Sequence, residues 1–228
     1  LAAGHRVHTL PCRAENGFLP CPEEVTEPGL IVLCTPNNPT GAVMTRVELQ
    51  RWVDYALGSG SLLLVDTAYA AFVADDSLPR SIYAVPEAHR CAIELGSFSK
   101  SDGFTGLRCK AAFISAAEIA AEAALSPTGL RQRGRALGVY RRNAERMLDF
   151  FSRRSVPCTG GENAPYLWVR CPDGGDSWGW FRRLLEECGV ICAPGAGFGA
   201  MGEGWLRFTA FGKNAATAEA LRRMARLF

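Results

Sequence analysis

The sequence predicts an α/β protein with a mostly parallel sheet, followed by a smaller α+β unit. In the first half, short apolar runs that end in turn residues alternate with helical patterns, which is typical of a parallel sheet covered on both faces. In the second half, a long helical pattern leads into short strands and helices without that alternation. We place the boundary inside the long helix, so the two predicted units span residues 1–145 and 146–228.

Three apolar runs in the first half predict buried strands, and turn or polar residues follow each of them. These runs lie at residues 30–34, 62–65 and 91–95. Between the first two, Thr45 and Glu48 have the spacing of a capping box. Leu49, Trp52 and later apolar residues then repeat at helical spacing, and Gly58 is expected to close this helix.

The second half is predicted to contain three helices and three strands. The helices lie at residues 127–153, 178–188 and 214–227, with Asn214 as the expected cap of the last one. The strands lie at residues 165–169, 190–193 and 205–210, and residues 155–161 are expected to break the chain between elements.

Composition predicts a soluble, globular protein and excludes several classes of partner. Of the 228 residues 48% are hydrophobic and 21% charged, and the net charge is +2, which favours neither nucleic acid nor a membrane surface. No apolar run has the length of a membrane span. The nine cysteines are scattered without a CxxC pair, which predicts reduced thiols in a cytoplasmic protein and no metal site. Because the sequence opens with Leu1, we expect its natural start, and any organelle-targeting segment, to lie upstream.

Polar residues follow each of the three predicted parallel strands. Asn38 comes after the first, Asp66 ends the second, and Ser97 to Lys100 follow the third. Because parallel strands end at the same edge of a sheet, these residues are expected to lie close together. Lysine is rare in this chain, so Lys100 has few competitors for a chemical role.

Four motifs together identify a family. NNPTG (37–41), DTAY (66–69), SFSKSDGFTGLR (97–108) and WLRFTAF (205–211) resemble the motifs of class I and II aminotransferases. More narrowly, ENAPYLWV (162–169) and PGAGFGAMGEGWLRFTAFG (194–212) resemble the LL-diaminopimelate aminotransferase family. The resemblance implies fold type I, a pyridoxal 5′-phosphate (PLP) cofactor and a cytoplasmic homodimer. It also implies amino-group transfer between LL-2,6-diaminopimelate and 2-oxoglutarate in lysine biosynthesis.

The resemblance assigns four residues to the cofactor ring. Lys100 is expected to hold PLP as a Schiff base and to move the proton at the substrate α-carbon. Asp66 is expected to keep the pyridine nitrogen protonated, so that the ring accepts electrons. Asn38 and Tyr69 are expected to donate hydrogen bonds to the ring oxygen.

The resemblance also assigns residues to the phosphate and to the substrate. Ser97, Ser99 and Arg108 are expected to bind the cofactor phosphate. Arg207 and Asn38 are expected to bind the substrate, with Arg207 on its α-carboxylate, because a planar guanidinium matches a carboxylate. Asn163 belongs to one of the motifs, and either a place near the site or a role in a turn fits its sequence context.

The sequence departs from the family in two places, and alternatives therefore stay open. The resemblance begins inside the family's large domain. After Arg108 a strand and further residues of the family have no counterpart, and the resemblance resumes near residue 116. The alternatives are another fold-type-I PLP enzyme, such as a general aminotransferase or a carbon–sulfur lyase, or an inactive fragment of the family.

Two further motifs are present without their usual context. Ser97 and Lys100 match the SxxK of penicillin-binding proteins, but the SDN and KTG elements are missing. The glycines between Gly195 and Gly199 imitate a dinucleotide fingerprint, but they lead into a predicted strand instead of a helix. Neither motif therefore supports its usual function here.

Overall fold

The computed structural model describes residues 6–102 and 125–228, and its first unit is built on a parallel sheet. The strands are Leu30–Cys34 (β1), Leu62–Asp66 (β2) and Ala92–Leu95 (β3), in the order β1-β2-β3. All are parallel, with Asp66 aligned to Cys34 on one side and to Leu95 on the other. The carboxyl ends of the three strands therefore lie level at one edge, as the sequence predicts.

Helix α1, Arg46–Ser59, connects the first two strands. The predicted capping box is present, because the Thr45 side chain accepts from the Glu48 N–H and the Glu48 carboxylate accepts from the Thr45 N–H. The expected closure at Gly58 is wrong. The helix continues through Ser59, and Gly60 ends it in a left-handed conformation with a φ of 72°.

Only one face of the parallel sheet is covered by the described residues. Helix α1 packs its buried Leu49, Trp52 and Val53 against that face, where Leu33 and Val65 are buried. Large aliphatic side chains on the opposite face are exposed, namely those of Leu30, Val32, Leu62, Ile93 and Leu95. The expectation of strands buried on both faces is therefore wrong for residues 6–102 and 125–228, because the described helices pack on one side.

The second unit is an antiparallel sheet covered by three helices. Its strands, in the order β4-β5-β7-β6, are Cys158–Gly160 (β4), Tyr166–Arg170 (β5), Ala193–Pro194 (β6) and Trp205–Thr209 (β7). A short helix, Phe98–Ser101 (α2), precedes this unit, and the helices around the sheet are Pro127–Ser152 (α3), Ser177–Cys188 (α4) and Asn214–Met224 (α5). Phe151, Leu184 and Leu206 lie at the centre of its core. Helix α3 runs without interruption through residue 145. The boundary between units that the sequence suggests at this residue remains a prediction.

Three sequence predictions in this unit need correction. Residues 155–161 contain β4, which forms by pairing with β5 and has no strong local signal. The strand predicted at residues 190–193 is reduced to Ala193–Pro194, which pairs with β7. Asn214 does not cap α5, because Lys213 occupies the cap position without a side-chain hydrogen bond, and the helix ends at Met224.

The two units contact each other through aromatic side chains. Tyr69 and Phe72 follow β2 and pack with Leu137 of α3 and Tyr166 of β5. Near the start of the described chain, the Phe18 ring lies 5.2 Å from the Trp205 ring in an edge-to-face arrangement. Within residues 6–102 and 125–228, none of the helices combines the length and the apolar character that crossing a membrane requires.

Candidate functional site

Asp66 lies at the carboxyl edge of the parallel sheet, as the last residue of β2. The backbone N–H of Ala68 donates to the Asp66 Oδ1 atom over 2.9 Å, which fixes the carboxylate against the turn that follows the strand. Cys34 is its neighbour in register on β1. Burial raises the pKa of the Cys34 thiol to about 11, so the thiol stays neutral beside this carboxylate near pH 7.

Lys100 lies on the single turn of helix α2, which follows β3. Ser97 caps this turn, since its hydroxyl accepts from the Ser99 N–H over 3.3 Å. Asp102 ends the turn and forms an ion pair with Arg133 of α3, with 3.7 Å between the carboxylate and guanidinium atoms. The Lys100 Nζ atom lies 6.0 Å from the centre of the Tyr69 ring. The turn that carries Lys100 therefore lies close to Tyr69, three residues after the end of β2.

The hydroxyl groups of Tyr69 and Tyr166 lie 2.8 Å apart and form a buried hydrogen bond, in which either oxygen could be the donor. The two residues are 97 positions apart in the chain and belong to different units. Burial raises the pKa of Tyr69 well above its usual value, so this phenol stays protonated at neutral pH. Tyr69 can therefore act as a hydrogen-bond donor throughout the neutral range.

Arg207 of β7 extends toward the parallel sheet and reaches Asn38. Its Nη1 atom donates to the Asn38 Oδ1 atom over 2.8 Å. The guanidinium carbon lies 4.6 Å from the centre of the Tyr166 ring and 4.9 Å from that of Phe198. The buried Arg207 Nε–H has no hydrogen-bond partner among the described residues. A fixed cation with an unsatisfied donor is suited to binding an anion such as a carboxylate.

The structure brings most of the predicted site residues together. Contacts or shared turns connect Asn38, Tyr69, Ser97, Ser99, Lys100 and Arg207, and Asp66 lies three residues before Tyr69. Arg108 lies outside the described residues. The Asn163 Oδ1 atom accepts from the backbone N–H groups of Ala74 and Asp75 over 2.8 and 3.0 Å, so this side chain holds a distant segment of the first unit.

Sequence reasoning missed Tyr166, which contacts both Tyr69 and Arg207. A tyrosine at the start of an apolar strand is usually assigned to the core, and Tyr166 is indeed buried. The available signal is its hydroxyl, because a buried phenol needs a hydrogen-bond partner. Phe198 was also missed, since its contact with Arg207 comes from a glycine-rich loop.

Known proteins match this chain over most of its length. The sequence profile of the family described as aminotransferase class I and II matches residues 13–132 and 115–224. An LL-diaminopimelate aminotransferase from Bacteroides fragilis (strain YCH46) is 40% identical over 248 residues, covering 94% of this chain and 60% of the relative. Another protein of that name, from Lachnospira eligens, is 39% identical and covers 96% and 60%.

Solved structures agree with these sequence matches. The L,L-diaminopimelate aminotransferase from Chlamydomonas reinhardtii superposes with a TM-score of 0.89 and 33% identity, covering 96% of this chain and 61% of that one. An aspartate aminotransferase from Thermotoga maritima, with 24% identity and a TM-score of 0.87 over 99% and 64% of the two chains, shares the fold.

The chain spans about 60% of the length of the curated relatives that it matches. The match with the Bacteroides fragilis protein extends over 248 residues, which exceeds the 228 residues of this chain. The relative therefore carries residues inside the matched span that have no counterpart here.

Proposed function

The chain belongs to the class I and II aminotransferase family, whose members depend on PLP, and from that premise we propose that it acts as a PLP-dependent aminotransferase. One observation carries the proposal for this chain. Arg207 comes from the antiparallel unit and meets Asn38 of the parallel unit, while its buried Nε–H has no partner among the described residues. This arrangement supplies a carboxylate site that Tyr166 connects to Tyr69, the phenol beside Lys100.

The donors and acceptors at the sheet edge fit PLP. The Asp66 carboxylate suits the pyridine nitrogen, and Asn38 and Tyr69 suit the ring oxygen. The hydroxyls of Ser97 and Ser99, on the turn that carries Lys100, suit the phosphate. We propose Arg108 as a further phosphate ligand on sequence grounds alone. When bound, PLP supplies an aldehyde that joins amines covalently and a ring that withdraws electrons from the substrate α-carbon.

The residues of this chain then have separate tasks. The Ala68 N–H holds the Asp66 carboxylate in place, so that it can accept a hydrogen bond from a protonated ring nitrogen. The Lys100 amine would hold the cofactor, and it is the base that would take and return the proton of the substrate α-carbon. Arg207, oriented by Asn38, binds the substrate carboxylate and thereby fixes the α-carbon relative to Lys100.

We propose LL-2,6-diaminopimelate as the amino donor and 2-oxoglutarate as the acceptor, which would place the protein in lysine biosynthesis. Support comes from the relatives at 39–40% identity that carry the name LL-diaminopimelate aminotransferase. Conversion of LL-diaminopimelate ahead of aspartate, aromatic amino acids and cystathionine in a donor panel is the expected result. Preference for another donor would favour a general aminotransferase or a carbon–sulfur lyase.

The partners and location implied by the resemblance remain part of the proposal. We expect amino acids and 2-oxo acids as the ligands, a homodimer as the active assembly and the cytoplasm as its location. Sedimentation of the purified protein with and without PLP tests the assembly, and a monomer that nevertheless turns over would remove the homodimer from the proposal.

The central test is the absorption spectrum of the purified chain with PLP, before and after borohydride. We expect a visible absorption band. Borohydride should reduce the bond between cofactor and lysine, so that mass spectrometry finds the cofactor permanently attached to the peptide that contains Lys100. Lys100→Ala is expected to lose the band, because Lys100 is the lysine on the turn beside Tyr69. The matched control is Lys213→Ala, which removes a lysine at the start of α5 and is expected to keep the band.

Two results would contradict the proposal. A folded wild-type chain without any band would support the inactive-fragment alternative. A band of wild-type strength in Lys100→Ala would mean that the cofactor is held elsewhere.

A further inference from the structure

We propose that Tyr166 is a positioning residue that directs the hydroxyl proton of Tyr69 toward the ring oxygen of the cofactor. The inference rests on the proposed PLP site and goes beyond it, because it gives a role to a side chain that the sequence comparison leaves without one. The hydrogen bond between the Tyr69 and Tyr166 hydroxyls joins the parallel and antiparallel units.

The Tyr69 hydroxyl has a single proton, which either Tyr166 or the cofactor can accept. A phenol has one O–H donor, so Tyr69 can donate to one acceptor at a time. If Tyr69 donates to Tyr166, no proton remains for the cofactor. If Tyr166 donates to Tyr69, the Tyr69 oxygen is satisfied as an acceptor and its own proton is available for another group. Both directions are compatible with the 2.8 Å separation of the oxygens, so the pair can reverse when an acceptor arrives.

The surroundings of Tyr166 favour its role as donor in the loaded site. The guanidinium carbon of Arg207 lies 4.6 Å from the centre of the Tyr166 ring. Arg207 also donates to Asn38, so the guanidinium holds the Tyr166 ring, and with it the hydroxyl, in place beside Tyr69. The described hydrogen bonds also include no second acceptor for the Tyr166 proton, so the Tyr69 oxygen is its partner.

The contact between Arg207 and the Tyr166 ring connects the proposed carboxylate site to the proposed cofactor site. Arg207 is the proposed carboxylate site, and it lies over the ring whose hydroxyl contacts Tyr69. Tyr166 therefore lies between the residue that binds the substrate and the residue that hydrogen-bonds the cofactor ring. Loss of its hydroxyl should change the electronic environment of the cofactor while leaving the buried aromatic packing with Tyr69 in place.

The test is a pH titration of the visible absorption band in the PLP-loaded protein and in Tyr166→Phe. Donation from Tyr69 to the ring oxygen lowers the pH at which the band changes, so weaker donation should raise it. We expect Tyr166→Phe to raise the midpoint by roughly 0.5 to 1 pH unit, the equivalent of one weakened hydrogen bond. Tyr69→Phe should raise the midpoint further, and the double variant should match Tyr69→Phe.

Tyr140→Phe is the matched control. It removes a phenol oxygen from the same aromatic cluster, where Tyr140 packs on Phe72 and Phe211 without a described hydrogen bond to Tyr69. We expect an unchanged midpoint for this variant. Thermal unfolding of the three single variants checks that each remains folded. Tyr166→Met is the substitute should the phenylalanine variant unfold, because methionine adapts to a buried site and adds no N–H or O–H donor.

The outcomes separate this inference from the proposed function. A band in the wild type with an unchanged midpoint in Tyr166→Phe overturns the role of Tyr166 and leaves the PLP site standing. Additive shifts in the double variant also overturn it, because they would mean that Tyr166 acts independently of Tyr69. No band in the wild type overturns the proposed function and this inference together.

Discussion

The two sheets of this protein differ in how completely their faces are covered. In the antiparallel sheet, Leu167, Val169 and Leu206 are fully buried beneath the surrounding helices. In the parallel sheet, one face is equally buried, but Val32 on the other face is 65% exposed and Ile93 is 48% exposed. Within the described residues, Tyr166 and Trp168 on the other face of the antiparallel sheet are buried as well, whereas one face of the parallel sheet is exposed.

The difference matters because the candidate site takes residues from both units. Tyr69 and Lys100 belong to the parallel unit, and Tyr166 and Arg207 belong to the antiparallel one. The site geometry therefore depends on both units being folded. A contiguous apolar patch on a parallel sheet is unusual, because such sheets are normally covered on both faces. The parallel unit should accordingly be the less stable of the two.

Removing a central side chain of the antiparallel unit should have the largest effect. Phe151 is fully buried, and its ring contacts those of Phe150, Phe208 and Phe228. Phe151→Ala should lower the free energy of unfolding of this unit by about 3 to 5 kcal/mol, through lost burial and the cavity that remains. Hydrogen exchange of the β5 and β7 amides measures that loss directly.

The control for this substitution is Leu130→Ala, because Leu130 lies on the same helix but is exposed. We expect its effect to remain within about 0.5 kcal/mol. A loss below about 1 kcal/mol for Phe151→Ala would show that the antiparallel unit does not depend on this core.

The sequence predicted those features that have a local cause. The strands β1 to β3 and the start of α1 were predicted because apolar runs, turn residues and a capping box are local signals. The placement of Asn38, Asp66 and Lys100 at one edge followed from the parallel topology. These predictions required no knowledge of which distant residues would pack against the strands.

The features that the sequence did not predict depend on distant contacts. Strand β4 forms because Cys158–Gly160 pairs with β5, and three residues ending in glycine carry little strand propensity. The role of Tyr166 depends on the hydroxyl of Tyr69. The exposed face of the parallel sheet was missed because the apolar run at Leu30–Cys34 is the same whether one face is covered or both.

Within the parallel sheet, a polar atom placed on the buried face should have an intermediate effect. Val65 of β2 is fully buried against the side of the sheet that α1 covers. Val65→Thr keeps the shape of the side chain but buries a hydroxyl among aliphatic groups. We expect a loss of about 1 to 3 kcal/mol, measured by urea unfolding with probes in the parallel unit. A loss below about 0.5 kcal/mol would mean that water reaches the side chain at position 65.

The same substitution on the opposite face should have the smallest effect on stability. Val32 lies on the neighbouring strand with its side chain largely in water, so the hydroxyl of Val32→Thr loses no solvation on folding. We expect a change within about 0.5 kcal/mol, together with weaker binding of an apolar fluorescent dye. Equal and large losses for Val32→Thr and Val65→Thr would show that both faces are covered in solution. The difference between the two variants therefore measures how strongly the faces of this sheet differ, because the chemical change is identical at both positions.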